Sequence, residues 1–328
     1  MSTQTSEEHR WHPAPSAGGL AALLNSLPGL PDLLALGEPN HNHAAFPQRR
    51  NDLFRQLVED FGFRSVALES DMLAGLIVGD HVVSGQGNLD DVLQAGFSHG
   101  FGARPANRDL VTWMREQNAR RDRNGELRFY GFDAPMDWGA PSPVTSLLAL
   151  HDFLSEALPD LPVCRETITE LCGAETDWTN PAAVKEPAHS VGQRAAARQL
   201  RRLSDDLSTL LRTEVPRLAT RTGFWEAELH ARTAAGLLRY HAVLASTAEN
   251  RLARMAALRA LMMADNLSAL LERERGRGPT LVYAHNSHLR PGLATMRLGD
   301  RNIQWWSAGA LMSHRLGPRY AFLAGGPC

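Results

Sequence analysis

The stretch LLALGE, residues 33–38, decides the fold class, because a short apolar run that ends in a glycine and a carboxylate is typical of a buried strand in a parallel sheet. A helix is predicted to follow it, from apolar residues spaced for one buried face: Leu53, Phe54, Leu57, Val58 and Phe61. The same order recurs with a strand at 65–68, a helix at 105–118 and a strand at 127–132. This alternation predicts an α/β fold with a mostly parallel central sheet flanked by helices.

Residues 143–275 interrupt this alternation with long helical periodicity, rich in Ala, Leu and Arg at 191–212 and 224–273. We interpret them as a large helical insertion or cap, broken near 181–187. A strand returns at 280–284, and two weaker apolar runs at 303–306 and 320–323 could complete the sheet. The sequence therefore predicts one α/β domain over 17–328, preceded by a flexible, polar terminus at 1–16.

Composition narrows the class of protein. The chain has 328 residues, 43% of them hydrophobic, and a formal net charge of −2, which argues against nucleic acid as a partner. Its three cysteines form no CxxC motif, which suits a reducing compartment without a disulfide framework. No apolar run of about 18 residues and no signal-peptide pattern occur, so we expect a cytoplasmic protein that does not enter a membrane. Nothing in the sequence indicates an oligomeric state.

Titratable residues follow the predicted strands at the point where each strand ends. Glu38, Glu69, Asp133 and His285 each come directly after an apolar run. Ligands of open α/β sheets bind outside the carboxyl ends of the strands, so these four side chains should converge on one pocket. The alternative is that each acidic residue only caps the following helix. Four such positions together favour a site.

Two histidine-containing motifs add acid–base chemistry to this pocket. Glu38 precedes His41 by three residues, and a carboxylate near an imidazole orients the ring and raises its basicity. His285 and His288 form a second pair, in which one ring could hold a substrate oxygen or act as the acid. Such spacings could also supply zinc ligands, but both motifs lie in loops and no HExxH is present. We predict a site without metal or cofactor.

Other positions are weaker candidates. Arg50, on the helix after the first loop, could clamp a carboxylate or oxyanion, or could be solvated. His99 could reach the pocket from its glycine-rich loop. That loop matches G-x-S-x-G at 96–100, and Ser98, Asp133 and His285 follow the chain order of α/β-hydrolases. However, residues 89–95 look helical where the motif needs a strand, so Ser98 is not predicted to be a nucleophile.

An ordered set of motifs resembles the erythromycin esterase family over about residues 33–290. The matching stretches are LGEPNH at 36–41, LFRQLVE at 53–59, ALESD at 67–71, GFSHGFG at 96–102, NRDLVTWMR at 107–115, GFD at 131–133, MADN at 263–266 and AHNSH at 284–288. The resemblance implies an α/β fold with a helical elaboration. It also implies that His41 is a general base that activates water to open a macrolide lactone. The positions that match the rest of the family's active site are Glu38, Arg50, Glu69, His285 and His288.

The sequence departs from the family around the proposed base. The usual pattern is Gly-Glu-x-Thr-His-Gly, often followed by Glu, whereas this chain has Asn40, Asn42 and His43 at three of these places. We count His43 with Arg50, His99, Asp133 and His288 as candidates for binding substrate.

Three functions remain open at this point. The first is a hydrolase of a natural-product ester or lactone, as in antibiotic resistance. The second is a tailoring enzyme of natural-product biosynthesis, in which His41 deprotonates the substrate itself for cyclisation, elimination or epimerisation. The third is a protein that binds and sequesters a natural product without turnover. All three expect a small-molecule partner.

Overall fold

The computed structural model describes residues 9–11, 19–123, 125–136, 139–299 and 301–326. Most of the predicted flexible terminus, residues 1–16, lies outside this part of the chain. Within it, the backbone of 9–11 forms the first strand.

Six parallel strands form the central sheet, in the order β1-β8-β2-β5-β3-β4. The strands of the chain are β1 (His9–Trp11), β2 (Leu33–Glu38), β3 (Ser65–Asp71), β4 (Arg128–Asp133), β5 (Thr280–His285), β6 (Leu293–Leu298), β7 (Arg301–Trp306) and β8 (Tyr320–Gly325). The predicted α/β class with a mostly parallel sheet is confirmed. Of the two weaker apolar runs that could complete the sheet, the run at 320–323 does so as part of β8. The run at 303–306 does not join the central sheet, and this part of the prediction is wrong. It lies in β7, which pairs antiparallel with β6 in a separate hairpin.

Helices connect the strands in the described chain. They are α1 (Gly19–Ser26), α2 (Ala45–Asp60), α3 (Met72–Ser84), α4 (Leu89–Gly96), α5 (Pro105–Asn118), α6 (Val144–Ser155), α7 (Arg165–Cys172), α8 (Glu175–Trp178), α9 (Ala182–Lys185), α10 (Ala195–Thr213), α11 (Val215–Leu218), α12 (Phe224–Leu244), α13 (Arg251–Arg273), α14 (Asn286–Leu289) and α15 (Ala308–Leu316). The predicted helix at 105–118 is α5. None of the described helices combines the length and apolarity needed to cross a membrane.

The central strands are apolar on both faces because helices cover both sides of a parallel sheet. Every residue of β2 is buried, and 33–36 are fully inaccessible to solvent. The helices contribute the opposing core side chains, such as Phe46, Phe54 and Leu57 of α2 and Val78 of α3. This rigid sheet fixes the position of whatever side chain follows each strand.

The chain divides into two compact units. The first consists of residues 1–133 and 263–328 and contains the central sheet and the β6–β7 hairpin. The second consists of residues 134–262. It is helical in its described part, with a core that includes Leu147, Leu150, Leu200, Leu207 and Leu238. The single domain over 17–328 with an insertion at 143–275 stays a prediction.

Candidate active site

Three of the predicted site residues meet because their strands are neighbours in the sheet. β5 lies between β2 and β3, and Glu38 of β2 is in register with His285 of β5. Glu69 ends the apolar part of β3, and its carboxylate accepts a hydrogen bond from the backbone N–H of His285 (2.8 Å). Both glutamates are buried, at 1% and 4% exposure. Strand order thus brings together residues that are more than 200 positions apart in the sequence.

His41 lies on the loop after β2, with its ring between the two glutamates. Its Nδ1 lies 2.7 Å from Oε1 of Glu38. A carboxylate can only accept, so the Nδ1 proton is donated to Glu38 and the lone pair of the neutral ring is on Nε2. That Nε2 lies 3.8 Å from Oε1 of Glu69, and one third of the side chain is exposed. The geometry leaves a basic nitrogen on a partly exposed side chain.

Tyr283, which sequence reasoning missed, completes the hydrogen bonding of Glu38. Its hydroxyl donates to Oε2 of Glu38 at 2.5 Å, so each carboxylate oxygen has its own donor. Burial and the neighbouring Glu38 charge raise the pKa of Tyr283 well above its usual value, which keeps the hydroxyl protonated. Tyr283 lies two residues before His285 on β5, and only the pairing of β5 with β2 shows what it contacts.

Arg50 is buried beneath this group, which excludes the solvated alternative. Its guanidinium donates to Oδ1 of Asn51 and of Asn107, and its central carbon lies 4.9 Å from the centroid of the Tyr283 ring. Burial lowers the pKa of Arg50 to about 10, offset in part by Tyr283 and Glu38, so the side chain stays cationic at neutral pH. The buried Arg50 charge therefore lies close enough to Glu38 and Tyr283 to interact with both. Its role as a substrate clamp stays a prediction.

Both ring nitrogens of His285 are engaged by the protein. Nε2 lies 2.9 Å from the carbonyl oxygen of Pro39, to which it can only donate. Nδ1 accepts from the backbone N–H of Ser287 and thereby caps α14, and the Ser287 hydroxyl lies 2.7 Å from it. Burial, with nearby His41, lowers the pKa of His285 and favours the neutral ring. This geometry favours a positioning role; the catalytic role predicted from the sequence stays untested.

His288 and Glu69 form the opposite side of the site from Glu38. Nε2 of His288 lies 3.2 Å from Oε1 of Glu69, the same oxygen that faces His41. The His288 side chain is 14% exposed. Glu69 therefore links His41, His288 and the backbone of His285, and the predicted residues Glu38, His41, Glu69, His285 and His288 lie in one cluster.

His99 and Asp133 form a second cluster at the ends of β3 and β4. Nε2 of His99 lies 3.4 Å from Oδ2 of Asp133, which is fully buried. The backbone of His99 has a φ of 58°, in the left-handed region that residues other than glycine rarely adopt. The ring of Phe101 lies 5.4 Å from that of His41 and 5.5 Å from that of His99. Phe101 thus joins the two clusters through an aromatic contact.

Ser98 holds the loop of His99 to the end of β3. Its hydroxyl accepts from the backbone N–H of Asp71, and its own N–H donates to the hydroxyl of Ser70, each at 2.9 Å. Helix α4 precedes it, as the sequence predicts. The serine therefore acts as a structural clamp between loop and strand, and the nucleophile alternative lacks the required strand.

The residues that depart from the family pattern lie at the surface of the loop. Asn40, Asn42 and His43 are exposed. The side chain of Asn40 accepts from the N–H of Asn42 at 3.0 Å, which forms a local turn. The His43 ring packs edge-on against Phe46 at 5.6 Å. Substrate binding by His43 stays a prediction.

The spacing of the histidine motifs allows for metal ligation. Within the described residues, no group of three or more His, Cys, Asp or Glu side chains is placed to hold a metal ion. The expectation of a metal-independent site is open to a chelator experiment.

Known proteins resemble this chain over most of its length. A family model described as erythromycin esterase matches residues 58–326. The erythromycin esterase type II of Escherichia coli is 30% identical over 125 residues, which is 38% of this chain and 28% of that protein. The aligned segment is thus well under two thirds of the relative's length.

Solved structures show the same fold at low sequence identity. A protein from Bacillus cereus superposes with a TM-score of 0.71 and 20% identity, covering 95% of this chain and 70% of that one. A mutant of an erythromycin esterase in its open conformation superposes with a TM-score of 0.66 and 17% identity, covering 95% of this chain and 73% of that one. A succinoglycan biosynthesis protein superposes with a TM-score of 0.66 and 19% identity, covering 95% of this chain and 69% of that one.

Proposed function

This chain belongs to the erythromycin esterase family, and from that premise we propose that it hydrolyses an ester or lactone with His41 as the general base. Family membership supports a hydrolase-like function. The observation that carries the finer proposal is the His41 ring, bound to Glu38 through Nδ1, with the basic Nε2 facing Glu69. Glu38 therefore orients the His41 ring through Nδ1, and Nε2 is the nitrogen that can accept a proton.

The reaction needs one proton to move twice. A water molecule gives a proton to Nε2 of His41 while its oxygen attacks the carbonyl carbon, and the carbonyl electron pair moves to oxygen. Collapse of this tetrahedral intermediate breaks the bond to the alcohol oxygen, which takes the proton from Nε2. Ester and water become acid and alcohol, and His41 returns to its neutral form.

Glu38 and Glu69 have different roles in this proposal. Glu38 stabilises the imidazolium that forms when His41 takes the proton, because its carboxylate accepts from Nδ1. Glu69 is close enough to Nε2 that one water could donate to both groups, which would orient its oxygen for attack. His288, at 3.2 Å from Glu69, would hold that carboxylate in place.

The expected substrate is a small natural product with an ester or lactone bond. The name of the Escherichia coli relative makes a macrolide lactone the first compound to assay.

The test replaces the proposed base. We expect His41→Ala to lower the turnover of erythromycin or of p-nitrophenyl acetate by roughly 10²–10⁴-fold, the usual contribution of a general base, with an unchanged melting temperature. His189→Ala is the matched control, because His189 forms the same i,i+3 pair with Glu186 (3.0 Å) on an exposed surface. Normal turnover by a folded His41→Ala variant would refute the proposal.

The tailoring alternative uses the same base on a proton of the substrate, and the altered residues Asn42 and His43 motivate it. Reaction in H₂¹⁸O separates the two, because hydrolysis places one solvent oxygen in the product. A product of unchanged mass would favour the alternative. Tight binding without turnover, insensitive to replacement of His41, would favour sequestration.

A further inference from the structure

We propose that Tyr283 is a positioning residue for the His41 base and acts through Glu38. The inference rests on the proposed function of His41. It assigns a role in the reaction to a tyrosine that neither touches His41 nor lies at the end of a strand.

The geometry forms a continuous chain of three side chains. The Tyr283 hydroxyl donates to Oε2 of Glu38, and Nδ1 of His41 donates to Oε1 of the same carboxylate. Each oxygen of Glu38 is used once, so the carboxylate cannot turn without losing a donor. Glu38 is only 1% exposed, which leaves little access for water to replace a lost hydroxyl. The hydroxyl therefore fixes the plane that orients the imidazole.

Charge gives Tyr283 a second effect on the base. The hydroxyl points its positive end at Glu38 and partly neutralises the charge that stabilises a protonated His41. Burial keeps the phenol uncharged by raising the pKa of Tyr283. Without the hydroxyl, Glu38 would stabilise the imidazolium more strongly, and His41 would hold its proton at a higher pH.

The other groups that face this chain are retained when the hydroxyl alone is removed. Glu69 faces Nε2 at 3.8 Å and the His285 ring lies 5.4 Å from that of His41. The Arg50 guanidinium lies against the Tyr283 ring, and the Arg104 charge also acts on Tyr283. His288 acts on Glu69 from the other side. If the titration of His41 changes when only the Tyr283 hydroxyl is removed, the change is therefore due to that hydroxyl.

A buried tyrosine bound to a glutamate is not by itself evidence of function, and the chain contains a matched control. Tyr130 of β4 donates to the buried Glu274 at 2.6 Å. Glu274 also binds Arg128 and Arg277, which lie outside the His41 cluster. Tyr130→Phe removes the same kind of hydrogen bond without touching Glu38 or His41.

The experiment compares Tyr283→Phe with Tyr130→Phe. We measure the pH profile of kcat/KM with p-nitrophenyl acetate and follow the His41 ring signal by NMR against pH. For Tyr283→Phe we expect the acid limb and the NMR midpoint to move up by roughly 0.5–1 pH unit. We also expect kcat to fall by about 10- to 100-fold with little change in KM. Tyr130→Phe should change neither midpoint nor kcat.

If Tyr283→Phe does not fold, a second variant provides the same test. Replacement of Tyr283 by 3-fluorotyrosine retains the ring and makes the hydroxyl a stronger donor, so the His41 midpoint should move to lower pH. An unchanged midpoint in either variant overturns the proposal. The NMR titration needs no turnover, so a shifted midpoint in a protein that hydrolyses nothing would uphold the role of Tyr283 and refute the proposed hydrolysis.

Discussion

The carboxylates at the strand ends differ in their hydrogen-bond donors and in the charges that lie beside them. Glu38 and Glu69 each receive a hydrogen bond from a neighbouring strand or its loop. Asp71 accepts from the N–H of Leu73 as the N-cap of α3, and it is partly buried near the charge of Asp133. Burial, with a smaller contribution from the Asp133 charge, raises the pKa of Asp71 to about 6, although the backbone N–H groups of Leu73 and Ala74 and the nearby His99 act to lower it. Asp71 therefore favours its protonated form more than an exposed aspartate does.

This shift predicts a pH-dependent cost to stability. The folded protein binds the Asp71 proton more tightly than the unfolded chain, so the stabilisation is complete below about pH 4 and is lost as the pH rises to about 6. Asp71→Asn keeps the capping oxygen and removes the charge. We expect the free energy of unfolding of this variant, relative to the unmodified protein, to rise by about 2 kcal/mol between pH 4 and pH 7.

Urea unfolding at several pH values checks this prediction. Asp109→Asn, at an exposed position on α5, serves as the control. A difference between Asp71→Asn and the unmodified protein that does not change with pH would contradict the expected burial effect.

Among the elements, the short helix α14 depends most on its neighbours. It has four residues and carries His288, and the His285 side chain caps its start. At its end, the carbonyl oxygen of Leu289 accepts from the Tyr320 hydroxyl at 2.5 Å. Gly309 of α15 lies so close that a Cβ there would be 1.9 Å from the same oxygen. Contacts with α15 and β8 thus hold α14 in position.

Gly309→Ala tests this close approach, because helix propensity and packing predict opposite signs. Propensity alone would stabilise a helix by about 1 kcal/mol, whereas the added methyl must displace the Leu289 carbonyl or the Tyr320 hydroxyl. We expect a loss of roughly 1–3 kcal/mol in the free energy of unfolding, measured in urea. Gly29→Ala is the control, since nothing lies within 4 Å of its Cβ position. Equal or higher stability of Gly309→Ala would refute the packing argument.

The strands of the sheet were predicted from apolar runs, and one of these predictions is wrong for a physical reason. Residues 33–36, 65–68 and 280–284 lie in strands that are buried on both faces. Residues 303–306 alternate between buried and exposed, which is the pattern of a hairpin with one covered face. An apolar run indicates a strand, but it does not identify the strand's partner.

In the whole molecule, the order of the strands in the sheet decides which parts of the chain depend on each other. β2 lies between β8 and β5, so the first long strand pairs only with strands from the last fifty residues of the chain. The strand β2 therefore cannot join the central sheet before these residues are present. The site inherits this dependence, because Glu38 and His285 belong to the paired strands β2 and β5.

Removal of the last strand tests this order. We expect a chain that ends at Arg319 to lose its cooperative unfolding transition and to aggregate, because the missing β8 would expose an edge of β2. Circular dichroism during urea unfolding and size-exclusion chromatography check the result, with the full chain as reference. A soluble truncated chain with a cooperative transition would show that β8 is dispensable.

The sequence by itself determined the α/β class, most strand positions, the titratable residues that end the strands and the family. These follow from local periodicity, from the i,i+3 spacing of Glu38 and His41, and from ordered motifs. The tertiary structure alone decided that Tyr283 binds Glu38, that Arg50 is buried and that both nitrogens of His285 are engaged. These are contacts and burial set by packing of residues distant in the sequence. Strand order and register decide such contacts, and no local pattern encodes either one.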